Sequence, residues 1–248
     1  MKAPNLITPL LAFAMAFGGI VSSVPAQDEI PYTDTFFQED CRLGARGMNN
    51  YFIPLKPHAF ILLEGEDDGE LVTLLIYVLP ELRVVDGVRC AVMRESEWAD
   101  GEIVEISWNY VAICRDTDDI YYYGEDVDIY EDGEVVSHDG AWLAGENGNR
   151  AGLLMPGGPL NGSRYFQEIA PGVALDRAEH LTNMAVVDTP AGTFEGCLLV
   201  RETTPLEPDA ESFKAYARGI GLIQDDVLKL VSYGCDRRMR DFEPESGE

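Results

Sequence analysis

The chain has 248 residues, of which 44 are acidic and 18 basic, and its formal net charge is −26 at pH 7. A surface this negative repels nucleic acids and anionic lipids and attracts cations and basic partners, although it also simply favours solubility. A hydrophobic content of 46% is enough to build a sizeable core. The composition therefore excludes nucleic-acid binding and predicts a folded, strongly acidic protein.

The N-terminal segment has the pattern of a secretory signal peptide. Lys2 supplies a positive charge, residues 7–21 are almost continuously apolar, and small residues lead up to Ala26. The apolar run is shorter than the roughly 20 residues that a membrane-spanning helix needs. We therefore expect cleavage after Ala26, a periplasmic or secreted protein, and no membrane span in the mature chain.

Residues 58–138 predict an antiparallel meander. Asp-Gly dipeptides separate its β-prone runs, and both central residues of a type I′ hairpin turn need a positive φ. Four such turns are expected, at Asp68-Gly69, Asp86-Gly87, Asp100-Gly101 and Asp132-Gly133. After Gly101 the side chains alternate between polar and apolar, as those of a half-buried strand do.

The second half of the chain begins with a region rich in Gly, Asn and Pro, residues 140–161, which predicts a long loop. Strands are then predicted at Arg164–Ile169, Ala178–Val187, Thr193–Thr203, Ser212–Ala217 and Leu222–Tyr233. We divide the chain into a signal peptide (1–26), an irregular lead-in (27–50), a single β domain (51–235) and a polar tail (236–248).

The predicted fold class is all-β with little helix. About 10–12 strands form an antiparallel meander, and a sheet this long is expected to curl into a barrel or half-barrel because curling removes exposed edges.

Four segments together resemble a family of exported bacterial all-β proteins of unknown function. The segments are Tyr51 to Pro57, Tyr122 to Val127, Pro190 to Cys197 and Gly219 to Leu222. In that family they read Tyr-Phe-x-Pro-Leu-Lys-Pro, Tyr-x-Gly-Glu-Asp-Val, Pro-Ala-Gly-Thr-Phe-x-x-Cys and Gly-x-Gly-Leu. The resemblance spans residues 50–225 and implies an extracytoplasmic all-β fold, but it implies no reaction.

The five cysteines all follow the predicted signal peptide. Disulfides are expected in an exported chain, and an odd number leaves at least one thiol free or intermolecular. Cys90 and Cys114 lie on the two arms of the hairpin at Asp100-Gly101. We predict that they bond, or are at least neighbours, with a β-bulge correcting the register. Cys41 is placed to staple the lead-in to the domain.

Aromatic residues on neighbouring strands offer a candidate ligand site. Such residues usually form core or cross-strand pairs, but they also line the mouths of barrels that hold apolar ligands. The candidates are Trp98, Trp108, Tyr110 and Tyr122. The function that we predict is a non-enzymatic, exported protein that binds a small or amphipathic ligand, with no catalytic residue assigned.

The acidic turns suggest a second hypothesis, a structural or surface protein that binds Ca²⁺. Calcium takes six to eight oxygen ligands, and the candidates are Glu125, Asp126, Asp128 and Asp132. An EF-hand is excluded because Tyr130 occupies the third loop position after Asp128 and strands flank the segment. No other cofactor is predicted.

A third hypothesis is a hydrolase that uses carboxylates inside the barrel, as glycosidases use a carboxyl pair. The candidates are Glu125, Glu168, Glu179 and Glu202, which lie in or beside predicted strands. A serine hydrolase is not indicated because the chain has no Gly-x-Ser-x-Gly motif. His58, His138 and His180 lack the spacing of metal ligands.

Overall fold

The computed structural model describes residues 31–244, and these form an antiparallel sheet of 16 strands that curls into a nearly closed barrel. The predicted all-β fold is therefore confirmed. The predicted signal peptide and its cleavage site lie outside the described residues. In the described part of the chain, no helix has the length and apolar character needed to cross a membrane.

The barrel is built mainly from long hairpins. In chain order the strands are β1 (Leu43–Gly44), β2 (Ala59–Asp67), β3 (Glu70–Val85), β4 (Val88–Ala99), β5 (Glu102–Cys114), β6 (Ile120–Glu131), β7 (Glu134–Ser137), β8 (Trp142–Leu143), β9 (Arg150–Met155), β10 (Arg164–Phe166), β11 (Glu168–Ile169), β12 (Arg177–Thr189), β13 (Gly192–Thr204), β14 (Glu207–Ala217), β15 (Gly221–Asp225) and β16 (Leu228–Cys235). Two short 3-10 helices span Gln38–Asp40 and Arg237–Asp241.

The strand order explains how the barrel closes. Strands β2 to β6 are neighbours in sequence, as are β12 to β16, and β16 pairs with β2 to join these two runs. The remaining gap is bridged by one short segment. Its first half, β10, pairs with β12, and its second half, β11, pairs with β9, with Gln167 between them. Residues 164–169 therefore complete the ring.

The four predicted Asp-Gly turns are confirmed. Both residues of each turn have positive φ, at Asp68-Gly69, Asp86-Gly87, Asp100-Gly101 and Asp132-Gly133. Local backbone chemistry alone determines these turns, because Asp tolerates and Gly readily adopts the left-handed region.

The prediction of a structureless loop over residues 140–161 is wrong. This region contains β8 and β9, both of which pair with β6, and β9 forms part of the barrel wall. Gly152 permits the closure here, since a Cβ on it would lie 2.4 Å from the carbonyl carbon of Gln167. Strand β9 is short and is flanked by Gly and Pro, so the composition of the region predicts turns and gives no sign of a strand.

Two other segments also differ from the expectation. The single strand predicted from Leu222 to Tyr233 is two strands, β15 and β16, separated by a turn in which Asp226 has a φ of 45°. Part of the expected polar tail packs on the outside of the barrel. Phe242 meets Trp98 edge-to-face with ring centroids 5.9 Å apart.

A disulfide joins Cys41 to Cys114. It staples the lead-in to the domain, as predicted for Cys41, and the lead-in also contributes β1, which pairs with β5. The prediction that Cys90 bonds Cys114 is wrong. The cysteines without a disulfide in the described residues are Cys90 and Cys197, both buried, and Cys235, which is exposed.

The expected β-bulge is present, but it corrects the register by only one residue. The register between β4 and β5 shifts next to Glu97, so that Ala91 lies opposite Val111. Cys90 therefore falls two positions short of Cys114 on the facing strand. Cys114 extends past the end of the β4 pairing, where β1 takes the place of β4 and brings the lead-in cysteine alongside.

The core lies inside the barrel and is completed by a segment that is not a strand. Residues 51–55, the apolar run before β2, are almost entirely buried. Phe52 and Ile53 reach the interior cavity. Gly221 leaves room for this segment, because a Cβ there would lie 2.7 Å from the backbone nitrogen of Ile53.

Candidate functional site

The barrel contains a cavity of about 220 Å³ whose lining combines apolar and acidic side chains. The apolar residues include Phe52, Ile61, Met93 and Leu222. The acidic residues are six, namely Glu95, Glu125, Glu168, Asp176, Glu202 and Asp225. Lys214 is the only cationic side chain among the described residues that line the cavity.

A bulge in β6 turns two polar residues into this cavity. Glu125 lies opposite Asn109, whereas Tyr122 lies opposite Val111, so β6 uses one more residue than β5 over this step. Gly124 makes the bulge, with a φ of 127°. Tyr122 donates a hydrogen bond to Asn109 Oδ1. Without the bulge, side chains three residues apart would point to opposite faces of the sheet.

Glu168 in the closing segment of the barrel forms a carboxyl pair with Asp176, which lies just before β12. Trp142 Nε1 donates to Glu168 Oε2 at 2.8 Å, and Glu168 is hydrogen-bonded to Asp176. Burial raises the pKa of Glu168 well above its ordinary value, and burial raises the pKa of Asp176 to about 6. At neutral pH Glu168 is therefore the protonated partner and donates to the Asp176 carboxylate.

Lys214 stands between two carboxylates on neighbouring strands. Its Nζ lies 2.9 Å from Glu202 Oε2 and 3.6 Å from Asp225 Oδ2. Burial by itself lowers the pKa of Lys214, but the neighbouring Asp225 and Glu202 more than offset this and raise it well above the ordinary value. Lys214 is therefore charged. Gln167 Nε2 also donates to Glu202 Oε1, at 2.8 Å.

Asp225 has an unmatched oxygen. Its side chain lines the cavity and the residue is only 3% exposed. One oxygen, Oδ2, faces Lys214, whereas Oδ1 is buried and has no hydrogen-bond partner in the described structure. Burial raises the pKa of Asp225 to about 6 against the opposing effect of Lys214. A buried carboxylate oxygen without a donor is uncommon in folded proteins and calls for an explanation.

A smaller cavity of about 80 Å³ shares part of this wall. Glu95, Lys214 and Asp225 line both spaces, and Glu97 and Glu105 line the smaller one. Burial raises the pKa of Glu95 to about 7 and that of Glu97 to about 8, and the pKa of Glu105 is raised for the same reason. The interior of the barrel therefore holds more carboxyl groups than it can keep charged without additional cations.

The four predicted aromatic residues do not come together. Tyr122 lines the interior cavity, and Trp98 packs against the C-terminal segment outside the barrel. Trp108 and Tyr110 line an open groove on the outer surface. The Tyr110 hydroxyl donates to Asp126 Oδ2 at 2.6 Å, next to Arg83.

The predicted calcium ligands also point in different directions. Glu125 faces the interior cavity, whereas Asp126 pairs with Arg83 and Asp128 with His138 on the outer surface. Asp132 lies in the exposed hairpin turn. Across residues 31–244, no group of three or more His, Cys, Asp or Glu residues is arranged to hold a metal ion.

The carboxylates considered for a hydrolase divide into two groups. Glu125, Glu168 and Glu202 line the cavity. Glu179 does not, and it is instead bonded to two arginines, Arg164 at 3.0 Å and Arg201.

The sequence analysis did not identify four of the acidic and basic residues of the cavity, which are Glu95, Asp176, Lys214 and Asp225. A pair of like charges near Glu95 does indicate an unusual environment. In the observed register, Glu97 lies directly opposite Glu105. Like charges in directly opposed positions destabilise a sheet, so their presence indicates a special environment.

Comparisons with known proteins give little guidance. No protein-family model matches the chain, and no curated protein matches it. One solved structure that aligns with it is described as a putative lipoprotein from Parabacteroides distasonis ATCC 8503. The two share 14% identity over 76% of this chain and 100% of that one, with a TM-score of 0.40. A likeness this distant carries no conclusion about function.

Proposed function

We propose that the protein acts outside the cytoplasm and binds a small amphipathic ligand inside its β-barrel. The observation that carries this proposal is the cavity of about 220 Å³, whose lining combines apolar residues with carboxyl groups. Ligand sites typically combine apolar lining with a few polar groups that fix orientation. Pockets that hold drug-sized ligands have volumes of roughly 300–1,000 Å³. The ligand expected in this smaller cavity is therefore smaller than a drug-sized molecule.

The architecture supports a preformed site. The cavity walls are strands of a nearly closed barrel, and side chains on paired strands are held more firmly than those on loops. Binding then requires little ordering of the protein, which preserves affinity for a small ligand.

Two observations support export. The N-terminal sequence has the signal-peptide pattern, and the domain contains the disulfide between Cys41 and Cys114. Disulfides persist in oxidising compartments and are rare in the cytosol.

Native mass spectrometry of the exported protein, purified without detergent, tests the proposal. We expect an additional mass of roughly 100–200 daltons, because the cavity is smaller than the pockets that hold drug-sized ligands, and we expect denaturation to remove it. A protein that carries no cargo and binds nothing from a library of small amphipathic compounds would contradict the proposal.

A cavity-filling variant locates the binding. Leu222→Trp places a larger side chain into the cavity wall, and we expect the additional mass to disappear. Val227→Trp is the matched control, because Val227 is exposed in the adjacent turn at 48%. Loss of cargo in both variants, or in neither, would argue against a site inside the barrel.

A second candidate function is acid–base catalysis, and the hydrogen-bonded pair of Glu168 and Asp176 favours it. Two carboxyl groups whose pKa values are pushed apart can act as acid and base in one reaction. Here the pKa of Glu168 is raised well above its ordinary value and that of Asp176 to about 6, both mainly by burial. This candidate shares the cavity and differs from the first in predicting turnover.

A panel of glycosides and esters distinguishes the two functions. Catalysis predicts turnover that Glu168→Gln reduces by roughly 10²–10⁴-fold, the usual contribution of a general acid or base. Glu146→Gln, at an exposed loop position, should leave turnover unchanged. Binding of a panel member without turnover would favour the first function, and equal activity of both variants would remove the pair from any mechanism.

A further inference from the structure

We propose that the ligand is an organic cation, a protonated amine with an apolar body, whose ammonium group binds at Asp225. This inference rests on the proposed function, because it names the chemical class of the ligand in the same cavity. Three features of the cavity carry it: its charge, the unmatched oxygen of Asp225 and the apolar residues of its lining.

The charge of the lining selects against anions. One ammonium group, that of Lys214, faces six acidic side chains around the cavity. Lys214 is already engaged by Glu202 at 2.9 Å and by Asp225 at 3.6 Å. Even with Glu168 protonated, the carboxylates of Asp176, Glu202 and Asp225 outnumber the single ammonium group of Lys214. They would repel a bound anion in a region of low dielectric constant, whereas a bound cation would reduce their mutual repulsion.

The unmatched oxygen selects for a hydrogen-bond donor. Asp225 Oδ1 is buried without a partner in the described structure, and the side chain of Asp225 lines both cavities. A carboxylate is acceptor-only, so only a donor can satisfy it. An ammonium or guanidinium group supplies N–H donors together with positive charge, and charge-assisted bonds of this kind are the strong ones.

The apolar residues of the lining select for an apolar body. Ile61, Met93 and Leu222 line the same cavity as the carboxyl groups. Burial of an alkyl or aryl group against them strengthens binding by about fourfold per CH₂. Since residues 31–244 contain no cluster of ligands arranged for a metal ion, the geometry points to an organic cation.

Isothermal titration calorimetry of the exported protein at pH 7.5 tests the inference with three matched series of probes. These are the primary alkylamines from propylamine to octylamine, the corresponding alcohols and the corresponding carboxylic acids. We expect the amines to bind, with affinity rising along the series until the cavity is full. The alcohols and carboxylates should bind at least tenfold more weakly.

Two variants connect this preference to the site. Asp225→Asn should weaken amine binding by roughly ten- to a hundredfold, the range expected for loss of a hydrogen bond to a charged group. Asp209→Asn, which changes an exposed residue of β14, should bind like the native protein. If Asp225→Asn does not fold, Glu95→Gln tests the same cavity wall.

The outcomes separate this inference from the proposed function. Alcohols or carboxylates that bind as well as the amines would overturn the cation and leave the binding function standing. Amine binding that survives in folded Asp225→Asn and Glu95→Gln would also overturn the cation site. The chemical identity of a co-purified ligand tests the inference directly. A co-purified ligand that has no basic nitrogen would contradict it. Absence of both cargo and binding would contradict the two proposals together.

Discussion

Replacing Glu97 by Gln should make the protein less sensitive to alkaline pH. Burial, together with the smaller effect of the nearby carboxylates of Glu105, Asp225, Glu95 and Asp67, raises the pKa of Glu97 from 4.5 to about 8. Between these two values the folded protein keeps the proton and the unfolded chain loses it. The stabilisation is therefore complete below about pH 4.5 and is lost as the pH rises towards 8.

The size of the effect follows from the linkage. One pKa unit corresponds to about 1.4 kcal/mol, and the interval from pH 5.0 to 7.5 covers most of the shift. Over this interval the shift in pKa lowers the free energy of unfolding by about 3 kcal/mol if solvent screening is ignored. Glu97 is half-buried and borders a cavity, so screening by water reduces this change, and we expect about 2 kcal/mol.

Urea denaturation at pH 5.0 and pH 7.5 measures this difference. The native protein should lose about 2 kcal/mol more free energy of unfolding across this interval than Glu97→Gln does. Glu146→Gln, at an exposed position, should behave like the native protein. An identical pH dependence in the native protein and Glu97→Gln would refute the argument that Glu97 is held protonated by burial.

Two further predictions concern the frame that holds the cavity. Replacing both Cys41 and Cys114 by Ser should lower the free energy of unfolding by about 2–4 kcal/mol, because the disulfide closes a loop of 73 residues. Urea denaturation measures this loss. A urea midpoint equal to that of the oxidised native protein would contradict the prediction. Gly124→Ala should destabilise by at least about 2 kcal/mol, because the residue has a φ of 127° and a Cβ there would lie 2.3 Å from the Trp142 carbonyl oxygen. Gly158→Ala, which has open space around it, is the control, and equal thermal midpoints for the two variants would exclude a special role for Gly124.

The features that were predicted correctly from the sequence, the Asp-Gly turns and the all-β fold class, are those that local backbone chemistry determines. The Asp-Gly turns form because two adjacent residues must both accept positive φ, a property that can be read from a dipeptide. The repetition of these turns predicts hairpins, and a long run of hairpins predicts a sheet that curls. The fold class therefore followed directly from the sequence.

The positions of side chains along the strands were less predictable because they depend on bulges. The extra residue at Gly124 turns both Tyr122 and Glu125 inward, which strict alternation does not allow. The shift next to Glu97 moves Cys90 one position nearer to Cys114 than ideal pairing predicts, but it still leaves Cys90 two positions short. Each bulge adds one residue to one strand, and every later side chain then changes its partner.

The interior charges were hidden by the composition. With 44 acidic residues in the chain, no single Glu or Asp stands out, and those inside the barrel were indistinguishable from those outside. Glu125, Glu168 and Glu202 were considered as interior residues, and they do line the cavity. Asp225 and Lys214 also line the cavity, but they were not considered. These side chains come together only because the sheet curls into a nearly closed barrel.

A crystal structure of the exported protein, purified without detergent, is the decisive experiment for a cation site at Asp225. We predict electron density inside the barrel for a small molecule other than water, with a nitrogen atom within hydrogen-bonding distance of Asp225 Oδ1 and an apolar portion against Leu222. A cavity filled by an ordered water network that satisfies the Asp225 oxygen, unchanged after soaking with alkylamines, would contradict it.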